Sequence, residues 1–463
     1  MPVKINNIEK IVKPGSVAVI GASDKHGKVG TAIMQNYVDV GFQGKLYPIN
    51  ISGQPSIMGK KAYKSILDVK EPIDLAVICV PADATSKVLN EAGKAKAKGA
   101  VIVTSGFSEV GRKDLQDELI RISNAYKMPI IGPNCLGVMD TRSRNDTLFL
   151  PTAKIDRPKI GGVSFVSQSG SVGSSILDLI SGEGFGLSKF ISYGNAAVVD
   201  EVDILDYLSK DKDTNVIVLY MEGARRAKEL TLIAKKITKA KPIVVLKGGR
   251  TESGSKAAHS HTASLAGSNN AYHAFFSQFG FIEAEGLEEL LWYGKIFETQ
   301  PLCKGNRVGV ITNGGGHGVL AADALYQNGL ILPELSANIA KNLRKIMPPI
   351  VNIRLPLDIG GDAGADRFSA ALSALSSDPN IDVIMTITLF QTPGADESVA
   401  SAIIDAASRK EKPIVVVSTG STYTKSHTSI IEASGVPVYE SPDAAAKAIS
   451  ALVKYSKYKG VIK

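Results

Sequence analysis

The amino-acid sequence predicts an α/β protein built on parallel sheets, and three observations carry that prediction. Short Val- and Ile-rich runs at residues 17–20, 75–80, 100–104, 163–166, 216–220 and 308–312 are largely apolar rather than alternating, as strands covered on both faces must be. Longer amphipathic stretches separate these runs from end to end. Gly, Pro, Ser and Asn bound each run, which marks the turns from strand into helix.

At 463 residues the chain has room for about three domains of ~150 residues. Hydrophobic residues make up 44% and charged residues 21%, the balance of a chain with real cores. Two segments read as joints: residues 140–159, with Pro151 and Pro158, and residues 298–306. They divide the chain near 1–145, 155–298 and 303–463. Cys79, Cys135 and Cys303 form no C-x-x-C pair, which points to a reducing, cytoplasmic setting and to no metal or disulfide framework. The first residues lack a charged leader, and no apolar run approaches the ~18 residues of a membrane helix. The net charge of +8 comes from dispersed lysines with no interleaved aromatics, so nucleic acid is not an expected partner. A solvated basic surface explains the charge; steering of anionic substrates explains it as well.

The first unit opens with a strand and then Gly21 to Gly30, a glycine-bearing turn into a helix. Backbone N–H groups and a helix N-terminus can hold phosphate there, although a ligand-free turn fits the same residues and the dinucleotide spacing G-x-G-x-x-G is absent. Further strand ends at residues 47–50, 79–82, 104–107 and 131–137 are expected to line one carboxyl edge, where open α/β sheets bind ligands. Ser23, Lys28 and Asn134 are then natural contacts for a phosphorylated nucleotide.

The second unit offers Ser167-Gln168-Ser169-Gly170 at a helix entrance, where hydroxyls and free amides favour a dianion; simple N-capping by serine is the alternative. The third unit repeats the device as Thr312-Asn313-Gly314-Gly315-Gly316, whose glycines let the backbone approach a ligand closely. Residues 163–170 line up with 308–315, and Lys241-Pro242-Ile243-Val244-Val245 recurs as Lys412-Pro413-Ile414-Val415-Val416. Two matches in the same order predict a duplicated flavodoxin-like domain. Two equivalent helix entrances are expected to face one charged group.

Residues 247–267 form a long small-residue loop carrying His259 and His261. Imidazole becomes a good phosphoryl acceptor when a carboxylate fixes its tautomer, and Glu222, after the strand at 216–220, is the candidate; a glutamate at the surface edge is the alternative. A structural loop histidine is the alternative. Metal binding by His-x-His finds no Cys or Asp cluster nearby. His26 and His273 are unremarkable, and His317 and His427 read as structural.

Assembled, these residues resemble the alpha subunit of ADP-forming acyl-CoA synthetases, the archaeal acetate–CoA ligases of the succinyl-CoA synthetase superfamily. The resemblance covers essentially the whole chain. Its most specific marks are Ser260-His261-Thr262-Ala263-Ser264-Leu265-Ala266-Gly267 and Ser167-Gln168-Ser169-Gly170, supported by the glycine triplet after Asn313 and by Cys79-Val80-Pro81-Ala82. It implies a Rossmann-like CoA-binding domain followed by two flavodoxin-like ligase domains. It further implies that His261 is phosphorylated, that Glu222 holds the imidazole, and that Ser167, Gln168, Ser169, Gly170, Asn313, Gly314, Gly315 and Gly316 cradle phosphate. CoA would lie near Gly21, Ala22, Ser23, Lys28 and Asn134, with Val80, Pro81 and Ser105 on the same edge. Ala263 departs from the glycine of many relatives and would stiffen the loop. The implied reaction converts acyl-CoA, phosphate and ADP to carboxylic acid, CoA and ATP. No ATP-grasp region is found, so an ATP-grasp beta subunit holding ADP or ATP with Mg²⁺ is implied, in an α2β2 assembly. A non-catalytic CoA-binding regulatory protein of the same fold is the alternative function. An NAD(P)-dependent oxidoreductase is disfavoured, since no acidic residue ends the strand at Ile49-Asn50.

Overall fold

The computed structural model describes residues 7–183, 185–254, 256 and 269–462, in two compact units, Met1–Glu283 and Ala284–Lys463. Strands are numbered in chain order. Within the first unit, β1 (Ser16–Ile20), β2 (Lys45–Ile49), β5 (Leu75–Ile78), β6 (Gly99–Ile102) and β7 (Ile130–Ile131) make a parallel sheet in the order β2-β1-β5-β6-β7. A small antiparallel pair, β3 (Ser56–Ile57) and β4 (Lys60–Lys61), stands beside it. The second sheet of this unit runs β14-β13-β12-β10-β11-β8-β9. Its parallel strands are β10 (Ile160–Ser167), β11 (Leu187–Ser192), β12 (Val216–Met221), β13 (Ile243–Lys247) and β14 (Ile282–Glu283), while β8 (Val138–Asp140) and β9 (Asn145–Asp146) add an antiparallel edge.

The second unit carries one parallel sheet among the described residues, ordered β16-β15-β17-β18-β19, from β15 (Val308–Thr312), β16 (Leu357–Asp358), β17 (Val383–Ile387), β18 (Ile414–Val417) and β19 (Val438–Tyr439). Strands β1, β5, β6, β13, β15, β17 and β18 are buried along their whole length, which is why their sequences are continuous apolar runs. In each parallel set the first strand is interior, flanked by the second and the third. The turns after β1, β10 and β15 therefore leave at a topological switch point, where open α/β sheets bind ligands.

The recurrence of Lys-Pro has a physical cause. Registers Ile217–Ile243 and Ile384–Ile414 put Lys241 and Lys412 at equivalent places before β13 and β18. Lys241 Nζ donates to the carbonyls of Leu208, at 2.7 Å, and Asp211. Lys412 Nζ donates to those of Leu375 at 2.9 Å and Asp378 at 2.6 Å. Each lysine thus caps the last carbonyls of a helix, Glu201–Lys210 in one unit and Ala365–Ser377 in the other.

Residues 140–159, read from sequence as a joint, fasten the first unit internally. Asn145 is fully buried; its Nδ2 donates to the carbonyls of Ile11 and Val12 at 3.1 Å, and its Oδ1 accepts from the Tyr37 hydroxyl at 2.7 Å. Lys189, also fully buried, pairs with Asp211 at 2.6 Å and with Asp140 at 3.3 Å. The helix Leu287–Thr299 belongs to the second unit, where it packs along Pro442–Tyr458 and Lys295 pairs with Glu432 at 2.7 Å. No described helix is long and apolar enough to cross a membrane.

Candidate functional site

The first sheet gathers its candidates along one edge. Gly21 leaves β1 at φ 99°, a conformation that favours glycine, and a Cβ there would stand 2.8 Å from the Cys79 carbonyl oxygen. A Cβ on Gly30 would stand 2.0 Å from the Gly21 carbonyl, so the turn and the helix Val29–Asp39 interlock. Asn50 Nδ2 donates to the Ala22 carbonyl at 2.7 Å, and Ser23 Oγ accepts from the Lys25 N–H at 3.0 Å. Lys28 is exposed just before the helix. The Thr104 hydroxyl donates to the Val80 carbonyl at 2.7 Å, and the Asn134 N–H donates to the Thr104 carbonyl at 2.8 Å. These links draw Gly21, Ala22, Ser23, Val80 and Asn134 to the carboxyl ends of β1, β5, β6 and β7, with Pro81 and Ser105 exposed beside them. Cys79 is no nucleophile for this edge: burial pushes its thiol up to about 12, and it donates to the Ile20 carbonyl at 3.2 Å.

The entrance after β10 is a serine device. Ser167 is fully buried and its hydroxyl donates to the Ser169 carbonyl at 2.6 Å. Ser169 caps the helix Gly170–Gly182, its Oγ accepting from the Val172 N–H at 3.4 Å. The N–H groups of a helix's first turn have no partner within the helix, and the dipole favours an anion there. Gln168, expected to touch phosphate, has another engagement. Its Oε1 accepts from the Glu222 N–H at 2.8 Å and from the Tyr193 hydroxyl at 3.4 Å, so it fixes Glu222 against the entrance.

Glu222 is 5% exposed. Its Oε1 accepts from the Tyr220 hydroxyl at 3.4 Å, while its Oε2 is buried without a partner among the described residues. A buried carboxylate oxygen without a donor is costly. Burial, and then the charge of Glu222, push the Tyr220 hydroxyl up to about 12. Lys247 is buried too, its ammonium 4.9 Å from the centre of the Tyr272 ring. Burial lowers the Lys247 pKa, and the negative charge of Glu222 opposes that shift. Gly248 leaves the room this packing needs: a Cβ there would stand 2.5 Å from Tyr220 Oη and 3.3 Å from Glu222 Cγ. His259 and His261, with the motif at residues 260–267, lie outside the described residues.

The entrance after β15 is built alike from different residues. The Thr312 hydroxyl donates to the Gly314 carbonyl at 3.0 Å, as Ser167 does to Ser169. Asn313 is 2% exposed and its side chain is committed: Nδ2 donates to the Leu389 carbonyl at 3.2 Å and to Thr392 Oγ1 at 2.9 Å, and Oδ1 accepts from the Leu389 N–H at 2.8 Å. Gly314 precedes the helix Gly315–Gln327 without a side-chain cap. A Cβ on Gly315 would stand 2.7 Å from Asp358 Oδ2, whereas Gly316 faces open space. A cleft of about 780 Å³ opens here, with Thr312, Gly315, Val319, Arg354 and Asp358 in its walls. Among the described residues, no three His, Cys, Asp or Glu side chains stand together as metal ligands would.

Sequence reading missed Tyr193, Tyr220, Glu109 and Asn195. Asn195 follows Gly194 in the turn after β11, a strand–Gly–Asn signal like those singled out elsewhere. Its side chain meets Asn134 at 3.2 Å and Glu109 at 2.5 Å. Burial acts to raise the Glu109 carboxyl, but the Asn195 amide and the N–H groups of Gly106 and Phe107 outweigh it and hold the group below its ordinary value.

Comparison with known proteins follows the same three parts. Residues 15–141 match a CoA binding domain, residues 160–297 a succinyl-CoA ligase like flavodoxin domain, and residues 308–461 a ligase-CoA domain. An ADP-forming acetate–CoA ligase of Methanocaldococcus jannaschii is 44% identical over 98% of this chain, which spans 64% of that relative's length. The alpha subunit of ADP-forming acetate–CoA ligase II of Pyrococcus furiosus is 38% identical, over 98% of this chain and 99% of its own. Among solved structures, acetyl-coenzyme A synthetase 1 of Ca. Korarchaeum cryptofilum, in complex with phosphate and ADP, superposes with a TM-score of 0.92 at 36% identity over 98% of both chains. The chain belongs to the family of ADP-forming acetate–CoA ligase alpha subunits.

Proposed function

We propose that this chain is the acyl-CoA-handling subunit of an ADP-forming acyl-CoA synthetase, acting in the cytoplasm. The observation that carries the reading is the buried Glu222 carboxylate, one oxygen of which has no partner among the described residues, beside a serine-built helix entrance. A neutral imidazole donating one ring N–H to that oxygen would present its other nitrogen as a nucleophile. We assign that imidazole to His261. The three family-model matches support the division into parts near 1–145, 155–298 and 303–463.

On this reading CoA lies along the first sheet's edge, at Gly21, Ala22, Ser23, Lys28, Val80, Pro81, Ser105 and Asn134. Phosphate is held by amides and hydroxyls at Ser167–Gly170, with Asn313–Gly316 as the equivalent second entrance. A phosphate oxygen attacks the thioester carbonyl; the C–S bond breaks, CoA leaves as thiol, and acyl phosphate remains. His261 then attacks phosphorus, the P–O bond to the acyl group breaks, and the carboxylate departs. ADP takes the phosphoryl group from His261 and becomes ATP. We place ADP, with its Mg²⁺, on an ATP-grasp beta subunit in an α2β2 assembly; the alpha-subunit relatives support a partner chain. Such transfers are catalysed mainly by positioning and charge stabilisation.

The test is incorporation of labelled inorganic phosphate into the chain in the presence of acetyl-CoA. The wild type should be labelled and His261→Ala should not. Glu222→Gln should slow labelling by about 10²–10⁴-fold while a calorimetric titration still shows CoA binding. Labelling of His261→Ala at the wild-type level would overturn the assignment.

A further inference from the structure

The proposed CoA edge and the proposed phosphate entrance stand on different sheets of the first unit, and Asn195 ties their loops together. Asn195 Oδ1 accepts from Asn134 Nδ2 at 3.2 Å. Asn195 Nδ2 donates to Glu109 Oε2 at 2.5 Å and to Gln116 Oε1 at 3.1 Å. Acceptor and both donor directions are thus in use, so the amide has one orientation. Glu109 in turn closes the loop after β6, its Oε1 accepting from the N–H of Gly106 at 2.5 Å and of Phe107 at 3.2 Å.

The backbone reinforces the link. Asn195 N–H donates to the Pro133 carbonyl at 3.0 Å. Gly194 passes so close to the turn after β7 that a Cβ on it would stand 2.2 Å from the Asn134 carbonyl oxygen. Two residues before Asn195, the Tyr193 N–H donates to the Ser167 carbonyl at 3.0 Å. The amide that grips the CoA edge is therefore only ~7 Å of chain from a residue bonded to the serine entrance.

We propose that Asn195, held by Glu109, is a positioning residue that sets the thioester end of bound acyl-CoA against the phosphate at Ser167–Gly170. The inference rests on the function proposed above. Attack on the thioester needs the reacting atoms ~3–3.5 Å apart, and a misplacement of ~1 Å costs about 10²-fold. With the two ligands carried by loops of different sheets, the bond between those loops governs that spacing. It does not govern the affinity of either loop for its own ligand.

The full chain with its ATP-grasp partner provides the test. Asn195→Asp sets a second carboxylate against Glu109 and strains the link through like-charge repulsion. CoA affinity should stay within about threefold, while single-turnover labelling by phosphate and acetyl-CoA falls by about 10²-fold. Adding Glu109→Gln reverses donor and acceptor, Gln donating where Glu accepted, and labelling should return to within about fivefold of wild type. A residue that merely supports the fold would lower CoA affinity and labelling together and would not be rescued by the swap. Wild-type labelling in Asn195→Asp, or a double variant no faster than the single one, overturns the inference alone. An unlabelled wild type overturns the proposed function and this inference with it.

Discussion

The two helix entrances, after β10 and after β15, are copies of one device that have diverged in chemistry. In both, the last residue of the interior strand turns its hydroxyl onto a carbonyl two residues on, Ser167 to Ser169 and Thr312 to Gly314. In both, the next residue is an amide whose oxygen accepts a backbone N–H from the loop after the neighbouring strand: Gln168 from Glu222, Asn313 from Leu389. Registers Ser167–Tyr220 and Thr312–Ile387 make Glu222 and Leu389 equivalent positions, each two residues past the paired one. One copy therefore keeps a buried carboxylate and the other an aliphatic chain. The shared parts are what a helix entrance needs to hold its turn. The carboxylate is what an imidazole needs to become a nucleophile.

The sharpest way to break this comparison is to convert one copy into the other. Glu222→Leu should reduce acetyl-CoA-dependent phosphate labelling by about 10³-fold, whereas Leu389→Glu in a His261→Ala background should confer none. Gly248→Ala comes next. Its Cβ would meet Tyr220 Oη at 2.5 Å and crowd Glu222, and labelling should fall by about 10²-fold with CoA titration unchanged.

The duplicated lysines test the shared scaffold. Lys241→Met and Lys412→Met each remove an ammonium donor from two helix-end carbonyls that keep only a backbone N–H, and each should cost about 1 kcal/mol in urea unfolding. A large loss in only one of them would end the claim that the two caps are equivalent. The smallest effect concerns acid. Burial acts to raise Asp211, yet the Lys189 ammonium, the Thr214 hydroxyl and Lys13 outweigh it and bring the carboxyl down to about 2. Because the folded value lies below the ordinary ~3.9, this stabilisation is complete above about pH 4 and is lost as pH falls towards about 2. Asp211→Asn should flatten the acid limb of the unfolding curve between those values. Asp382, lowered in the second unit through Arg307 at 2.8 Å despite its burial, should show the same sign in its own Asn variant.

Much of the architecture was legible because parallel strands buried on both faces have nowhere to hide polar residues. The runs at 17–20, 163–166 and 308–312 could be read directly, and all are strands. The segment at 140–159, read as a joint from its polarity and its prolines, gave no sign of how it packs. Asn145, Asp146 and Thr147 are fully buried, their polar atoms satisfied by Ile11, Val12, Arg157 and Val138. Composition records polarity but not the partner that neutralises it. For the same reason polarity alone does not reveal that the side-chain oxygens of Gln168 and Asn313 hold the loops after β12 and β17.

The sequence by itself determined the α/β class, the order of the parallel strands' turns, the duplication and the residue types at each entrance. All of these follow from local periodicity and from short motifs. Tertiary structure alone showed which residue of the third part stands where Glu222 stands in the second, because Glu222 and Leu389 emerge as equivalents only once β12 and β17 are set in register beside β10 and β15. It also decided the Asn134–Asn195–Glu109 link, whose members lie 61 and 86 residues apart. Hydrogen bonds between segments so distant in sequence leave no periodic trace. They exist because packing brings the two loops within reach and burial makes an unmade bond costly.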